Sequence, residues 1–259
     1  MQQAETALYP DLRGRVALVT GGSKGIGAET CRALGRNGAR VVVNGRDEAA
    51  IEAVVSQIAQ DGGQAVGVAA DAVSRAGLEE LRRKAEESFG PVELLAPFAG
   101  GFGSFTPITE ISEEEWADVV EWNLTSTFRA IQVFLPPMLE RGGGAIVTMA
   151  SNGARLLDKP LTASYAAAKA GVVQLTRHVA REVGPQGVRL NCVAPATTTS
   201  ERIERIMDDE SQARTAALSP LGRLGVPADT AQATLFLLSG AASWLTGVTL
   251  DISGGRVML

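Results

Sequence analysis

Histidine occurs once and cysteine twice in 259 residues. A single imidazole without partners cannot assemble a metal site, so none is expected, and His178 is read as a structural or surface residue of a helix. Cys31 and Cys192 are too few for a disulfide framework, which also requires an oxidising compartment; both are read as free thiols in apolar surroundings. No segment approaches 18 consecutive apolar residues, so no membrane span is expected. Residues 1–10 are polar, with an acid at Glu5, and lack the apolar stretch of a signal peptide. A cytoplasmic protein is the expectation. The Lys and Arg residues are scattered and the net charge is −5. That argues against a nucleic-acid binder, which concentrates basic charge on one face. No linker, repeat or low-complexity stretch interrupts the chain.

What is present alternates. Residues 15–20 (RVALVT) form a short apolar run, the mark of a strand buried on both faces. A glycine-rich turn spans 21–27, and a helix is predicted over 28–37, stopped by Gly38. Further strands are predicted at 40–44, 65–70, 92–98, 144–149, 188–193 and 248–252. Between them, Asp47 reads as the N-cap of a helix reaching about Gln60, and 75–89 as a second helix. Ser112 with Glu115 makes a capping box for a helix running to about Leu135 and ended by Pro136-Pro137. Helices are also predicted at 163–183, 200–217 and 228–238. This β-α rhythm predicts an α/β fold: one doubly wound parallel sheet of the Rossmann type with helices on both faces. Residues 1–12 are expected to be an N-terminal extension, 13–259 the domain, and 197–217 a small helical insert covering the substrate. Trp116, Trp122, Phe128 and Phe134 lie with other apolar residues around more than one face of the 116–135 helix, which predicts a subunit interface.

The turn after the first strand reads Thr20-Gly21-Gly22-Ser23-Lys24-Gly25-Ile26-Gly27. Glycines at 21, 25 and 27 let the backbone approach a pyrophosphate, and the following helix offers its free N–H groups to that anion. The second strand ends in Asn44-Gly45-Arg46, where an NAD enzyme carries a carboxylate for the ribose 2′-hydroxyl. Two cations, Lys24 and Arg46, suit a 2′-phosphate instead, so the expected cofactor is NADP(H). Asp47 is taken as a helix cap, although its position also suits a ribose contact. Asp71, at the end of the third strand, is a candidate acceptor for the adenine amino group.

Tyr165 and Lys169 stand four apart in a helical stretch and therefore share a face. The chain has two tyrosines and so few lysines that a chance Tyr-x-x-x-Lys arises in only about 3% of such chains. A carbonyl that accepts a hydride also needs a proton. Free tyrosine ionises near pH 10, and a nearby ammonium is expected to lower that value. Ser151, following the fifth strand, is placed to polarise the same carbonyl.

With these residues in view, the sequence resembles the short-chain dehydrogenase/reductase family, in its Tyr-x-x-x-Lys branch, over essentially everything after residue 12. The resemblance includes 3-oxoacyl-[acyl-carrier-protein] reductase-like ketoreductases. It implies a catalytic tetrad of Asn123, Ser151, Tyr165 and Lys169, with Asn123 anchoring a water that leads to the lysine. It further implies cofactor contacts from Gly21, Ser23, Lys24, Gly25, Ile26, Gly27, Arg46, Asp71, Ala72, Phe98, Ala99 and Gly100. Tyr165, Lys169, Pro195, Thr198 and Ser200 complete that set. A homotetramer is implied as well.

The chain departs from the family pattern in four places. Pro97-Phe98 replaces two asparagines beside the adenosine ribose. Ala196 replaces a glycine, and Ser200 a threonine. The Ser151–Tyr165 gap is one residue longer than usual, so that Asn152 falls at the usual spacing; Ser151 is retained because the strand leads into it. The expected reaction is reduction of a ketone or 3-oxoacyl carbonyl to a secondary alcohol. The alternatives are an oxidative alcohol or sugar dehydrogenase and a non-catalytic NADP(H) sensor. The longer Tyr–Lys spacing of related enoyl reductases disfavours enoyl reduction. Candidate substrate contacts are Phe102, Asn152, Leu156, Ile203, Ile206 and Met207. An acyl-carrier-protein substrate would call on a basic patch, for which Arg129 and Arg177 are candidates.

Overall fold

A computed structural model describes residues 7–103, 105–156 and 161–258. The chain opens with β1 (Val16–Thr20), α1 (Gly25–Arg36), β2 (Arg40–Gly45), α2 (Glu48–Gln60), β3 (Gln64–Ala69), α3 (Arg75–Phe89) and β4 (Leu94–Pro97). It continues through α4 (Glu113–Val120), α5 (Ser126–Glu140), β5 (Gly144–Met149), α6 (Ala163–Val183) and β6 (Val188–Pro195). The last elements are α7 (Glu201–Ile206), α8 (Asp209–Ala217), α9 (Pro227–Leu238) and β7 (Thr249–Ile252). All seven strands pair in parallel, in the order β3-β2-β1-β4-β5-β6-β7. The apolar runs that mark β1 and β4 are buried at every position, as strands covered on both faces must be.

Alternate strand residues feed two cores. Val19, Val41 and Val43 pack with Leu34 of α1, Ile58 of α2 and Leu235 of α9. Leu18, Val42 and Ile146 pack on the other face with Leu81 of α3 and Phe134 of α5. The strand order reverses between β1 and β4. In open α/β sheets, ligands bind in the crevice at the carboxyl ends of the strands flanking such a reversal.

Several boundaries differ from those expected. The helix predicted to end before Pro136-Pro137 is instead interrupted earlier, by a π-helical turn over Glu121–Thr125, and then continues through both prolines to Glu140. Proline's fixed φ is compatible with a helix, and its cost is an orphaned carbonyl one turn back. The Val133 carbonyl accepts from Arg82 Nη1 at 3.4 Å, and the extra turn seats Met138, which is fully buried. The 200–217 insert is two helices rather than one, divided at Met207; Asp208 caps the second by accepting from the Ser211 N–H at 2.8 Å. α1 begins at Gly25 and not at Ala28, and β6 runs on to Pro195. Leu12, placed in the N-terminal extension by the sequence reading, is fully buried in the core, and the Asp11 carboxylate accepts from the Gly240 N–H at 2.7 Å. Trp116, Trp122 and Phe128 are exposed along α4, the π turn and α5. Cys31 and Cys192 are buried free thiols, and His178 lies at the surface. No helix among the described residues is long and apolar enough to cross a membrane.

Candidate active site

A cleft of about 2130 Å³ runs across the carboxyl ends of the strands, from the glycine turn to α7. Pockets for small ligands commonly measure a few hundred to a thousand Å³, so this one has room for a dinucleotide and a substrate together. Gly27 sets its floor: a Cβ there would stand 2.1 Å from the Gly21 carbonyl oxygen. Only glycine lets α1 pack this closely on the turn. No side chain caps the first turn of α1, so its N–H groups are left to an anionic ligand. Gly21, Ser23, Lys24, Gly25, Ile26 and Gly27 all line the cleft.

The end of β2 is shaped by contact as well as charge. A Cβ on Gly45 would lie 2.6 Å from Ser23 Oγ, so a carboxylate side chain here would require Ser23 to move. Arg46 lines the cleft and is exposed. Asp47 caps α2, accepting from the Ala50 N–H at 3.1 Å, and also pairs with Lys24 Nζ at 3.2 Å. These two donors, the backbone first, hold its carboxyl below the usual range. Asp71 lines the cleft and accepts from the Val73 N–H at 3.0 Å; Ala72 beside it is buried. Phe98, Ala99 and Gly100 form the facing wall, where the Ala99 N–H donates to Thr20 Oγ1 at 3.0 Å and ties the ends of β4 and β1 together. Pro97 sits at the last position of β4, registered with Thr20, where a missing N–H does least harm. Thr198 and Ser200 line the cleft near α7; the Ser200 hydroxyl caps that helix, accepting from the Ile203 N–H at 3.2 Å. Pro195 is buried at the end of β6, paired with Ile252.

α6 carries Tyr165 and Lys169 one turn apart, with the lysine nitrogen 5.7 Å from the tyrosine ring centroid. Lys169 is buried and donates to the Met149 carbonyl at 2.9 Å, where β5 ends. Burial pulls its ammonium down to about 8. Ser151 follows β5, and its hydroxyl, hydrogen-bonded to Tyr165, favours the phenolate. Ser151, and not Asn152, therefore faces the phenol. Asn152 is buried beside it, with an amide nitrogen that has no hydrogen-bond partner among the described residues.

The expectation that the Lys169 ammonium lowers Tyr165 is not met. Burial pushes the phenol above its usual value, and the opposing influences are the Ser151 hydroxyl and then the Arg202 guanidinium. Asn123 stands in the π turn, a kind of insertion frequent at functional sites. Its Oδ1 accepts from the Gly101 N–H and its Nδ2 donates to the Gly101 carbonyl, each at 3.1 Å; Nδ2 also donates to the Val119 carbonyl at 2.9 Å. With both ends of the amide engaged, the side chain braces the Gly100–Gly101 wall.

Of the expected substrate contacts, Phe102 packs edge-on against Tyr165, with ring centroids 5.3 Å apart, and Ile203 and Ile206 line the cleft with it. Met207 ends α7 away from the cleft lining. Leu156 is half-buried and donates through its N–H to the Asn152 carbonyl at 2.9 Å, also away from the lining. Arg202 was not anticipated: a single arginine in a polar helix carries no sequence signal of its own.

Comparison with known proteins agrees with this geometry. A family model described as enoyl-(acyl carrier protein) reductase matches residues 21–256. The chain is 37% identical over 253 residues to 3beta-hydroxysteroid dehydrogenase 1 of Eggerthella lenta, covering 97% of each chain. It is 35% identical to the 3-oxoacyl-[acyl-carrier-protein] reductase FabG of Vibrio cholerae, covering 96% of this chain and all of that one. Among solved structures, a 7 alpha-hydroxysteroid dehydrogenase complexed with NADH and 7-oxo glycochenodeoxycholic acid superposes with a TM-score of 0.91 at 34% identity, covering 96% of this chain and 98% of that one. With its glycine turn, its Ser151–Tyr165–Lys169 cluster and these relatives, the chain belongs to the short-chain dehydrogenase/reductase family, whose members exchange hydride between a nicotinamide cofactor and a carbonyl or alcohol carbon.

Proposed function

We propose that the protein is an NADP(H)-dependent reductase that converts a ketone or 3-oxoacyl carbonyl to a secondary alcohol, with Tyr165 as proton donor. The observation that carries this reading is the convergence of Ser151, Tyr165 and Lys169 at the end of β5 and the start of α6, beside a cleft lined at this end by Met149 and Phe102 and at the other by the glycine turn. The cofactor, when bound, supplies hydride chemistry. The glycine turn and the N-terminus of α1 would hold its pyrophosphate. Phe98 to Gly100 and Thr198 line the cleft beyond them.

The protein's own part is proton transfer and orientation. The Ser151 hydroxyl donates to the substrate oxygen, and Tyr165 gives its proton to the same oxygen as negative charge develops there. Ser151 and then Arg202 favour the phenolate left behind, while Lys169, anchored on the Met149 carbonyl, ties α6 to the end of β5. Asn123 fixes Gly101, and through it the wall that presents Phe102.

Three features support NADP(H). Gly45 puts no carboxylate at the end of β2 and packs against Ser23. Asp47 is occupied by the cap and by Lys24. Arg46, exposed at the cleft, is the cation free to meet a 2′-phosphate, and Lys24 would join it by exchanging Asp47 for that anion. Of the two candidate docking arginines, Arg129 is engaged by the Glu121 carboxylate and the Val73 carbonyl, while Arg177 is exposed without an ion pair among the described residues. Exposed Trp116, Trp122 and Phe128 support a homo-oligomer, a tetramer by family resemblance. The test is loss of reduced-nicotinamide absorbance with NADPH or NADH against a panel of ketones, aldehydes and 3-oxoacyl thioesters. Turnover preferring NADPH is expected. Binding without turnover across the panel overturns the reading. The dehydrogenase names of several relatives support the oxidative direction as a second reading, tested by NADPH formation from NADP and secondary alcohols.

A further inference from the structure

We propose that Arg202 selects anionic substrates: the carbonyl compound carries a carboxylate or sulfonate, held by the Arg202 guanidinium while its carbonyl oxygen meets Tyr165 and Ser151. This deepens the reductase reading above and rests on it.

The position of the guanidinium comes first. Arg202 is the second residue of α7, yet its side chain reaches across the cleft to the loop after β4. Its Nη2 donates to the Gly103 carbonyl at 3.4 Å, and its Nη1 lies 3.7 Å from where a Cβ on Gly101 would stand. Gly101 and Gly103 flank Phe102, the ring packed against Tyr165. The guanidinium therefore sits on the wall that faces the reacting phenol.

Its pairing state comes second. Of the other arginines lining the cleft, Arg223 is paired with Asp229 at 2.7 Å, while Arg205 and Arg46 have no ion pair among the described residues but make no contact with the Gly101–Gly103 wall that Arg202 touches. Arg202 has no carboxylate within 4.0 Å among the described residues, although Glu201 also lines the cleft. Its one described hydrogen bond is the long contact to Gly103, which leaves most of its five donors free.

Its electrostatic reach comes third. The field of Arg202 is felt at the Tyr165 hydroxyl. A guanidinium with free, planar donors matches an oxyanion in a two-pronged pair that an ammonium does not reproduce. An anion bound there would also cancel the pull of Arg202 on the phenol, keeping Tyr165 protonated and ready to donate.

The test compares three ketones of matched length: 4-oxopentanoate, 3-oxobutane-1-sulfonate and methyl 4-oxopentanoate. For the wild type, kcat/KM is expected to favour at least one anion over the ester by about tenfold or more, a discrimination of about 1.4 kcal/mol. In Arg202→Met the anion-to-ester ratio is expected to collapse by a similar factor, mainly through KM, and Arg202→Lys to recover part of it. The carboxylate and sulfonate arms show which oxyanion the site takes. A wild type that prefers the ester, or a ratio that survives Arg202→Met, overturns the inference while leaving the reductase intact. Turnover of all three ketones undiminished in Tyr165→Phe, or of none in the wild type, overturns the reductase reading itself.

Discussion

Lys169 donates to the carbonyl oxygen of Met149 at 2.9 Å, so the helix that carries Tyr165 is pinned to the last residue of β5. The ammonium is buried there and titrates near 8, against an ordinary value of 10.5. The unfolded chain therefore binds more protons than the folded one between about pH 8 and 10.5, and stability rises with pH across that window. Below it both states are protonated and the folded state bears the full cost of the buried charge, up to about 3 kcal/mol. Lys169→Met is expected to be more stable than the wild type at pH 7, with the difference shrinking toward pH 10. Denaturant midpoints at unit pH intervals check this, and a wild-type advantage at pH 7 contradicts it.

Tyr165→Phe removes one hydroxyl and leaves the ring packed on Phe102. Turnover should fall by about 10²–10⁴-fold, the usual contribution of a positioned acid, while NADPH affinity stays close to wild type. Steady-state rates together with a fluorescence titration of NADPH check both halves. Undiminished turnover removes Tyr165 from the mechanism.

Gly27→Ala would place a methyl carbon 2.1 Å from the Gly21 carbonyl oxygen. The turn or the helix must move, at a cost of roughly 1–3 kcal/mol. The same displacement spoils the phosphate cradle. Lower stability by chemical denaturation and a weaker NADPH titration are both expected in this variant, and normal behaviour in both would mean that α1 packs less tightly than described.

Lys24 and Arg46 make a charge-based prediction. Removing both as alanines should narrow the NADPH-to-NADH ratio of kcat/KM by about tenfold or more, since hydrogen bonds to charged groups contribute about 1.5–3 kcal/mol each. The effect should weaken as salt is raised. A wild type that prefers NADH would mean that Asp47 releases Lys24 and reads the ribose instead.

The sheet was legible because its strands are unambiguous. β1, β2 and β5 carry apolar runs bounded by glycine or charge, and burial on both faces demands such runs. Tyr165 and Lys169 were legible because helical spacing converts directly into a shared face. The interruption of the 116–135 helix was not. A π turn depends on where Asn123 must reach, which is the peptide of Gly101, more than 20 residues away in sequence. Nor was the passage of α5 through Pro136 and Pro137, because the compensating donor is Arg82, on another helix. Asp47 was read as a cap and is one, but its second partner, Lys24, comes from across the βα turn. Arg202 was missed for the same reason: its meaning lies in what it faces.

Neither α7 nor α8 buries a single residue. α7, which lines the cleft, therefore contributes little to the folding equilibrium, and exposed substitutions of this kind usually change stability by no more than about 0.5 kcal/mol. The protein keeps its durability in one set of residues and its taste for substrates in another. Side chains of Glu201–Ile206 can therefore be exchanged at the edge of the cleft with little effect on folding, which makes this helix the place where a designer should start.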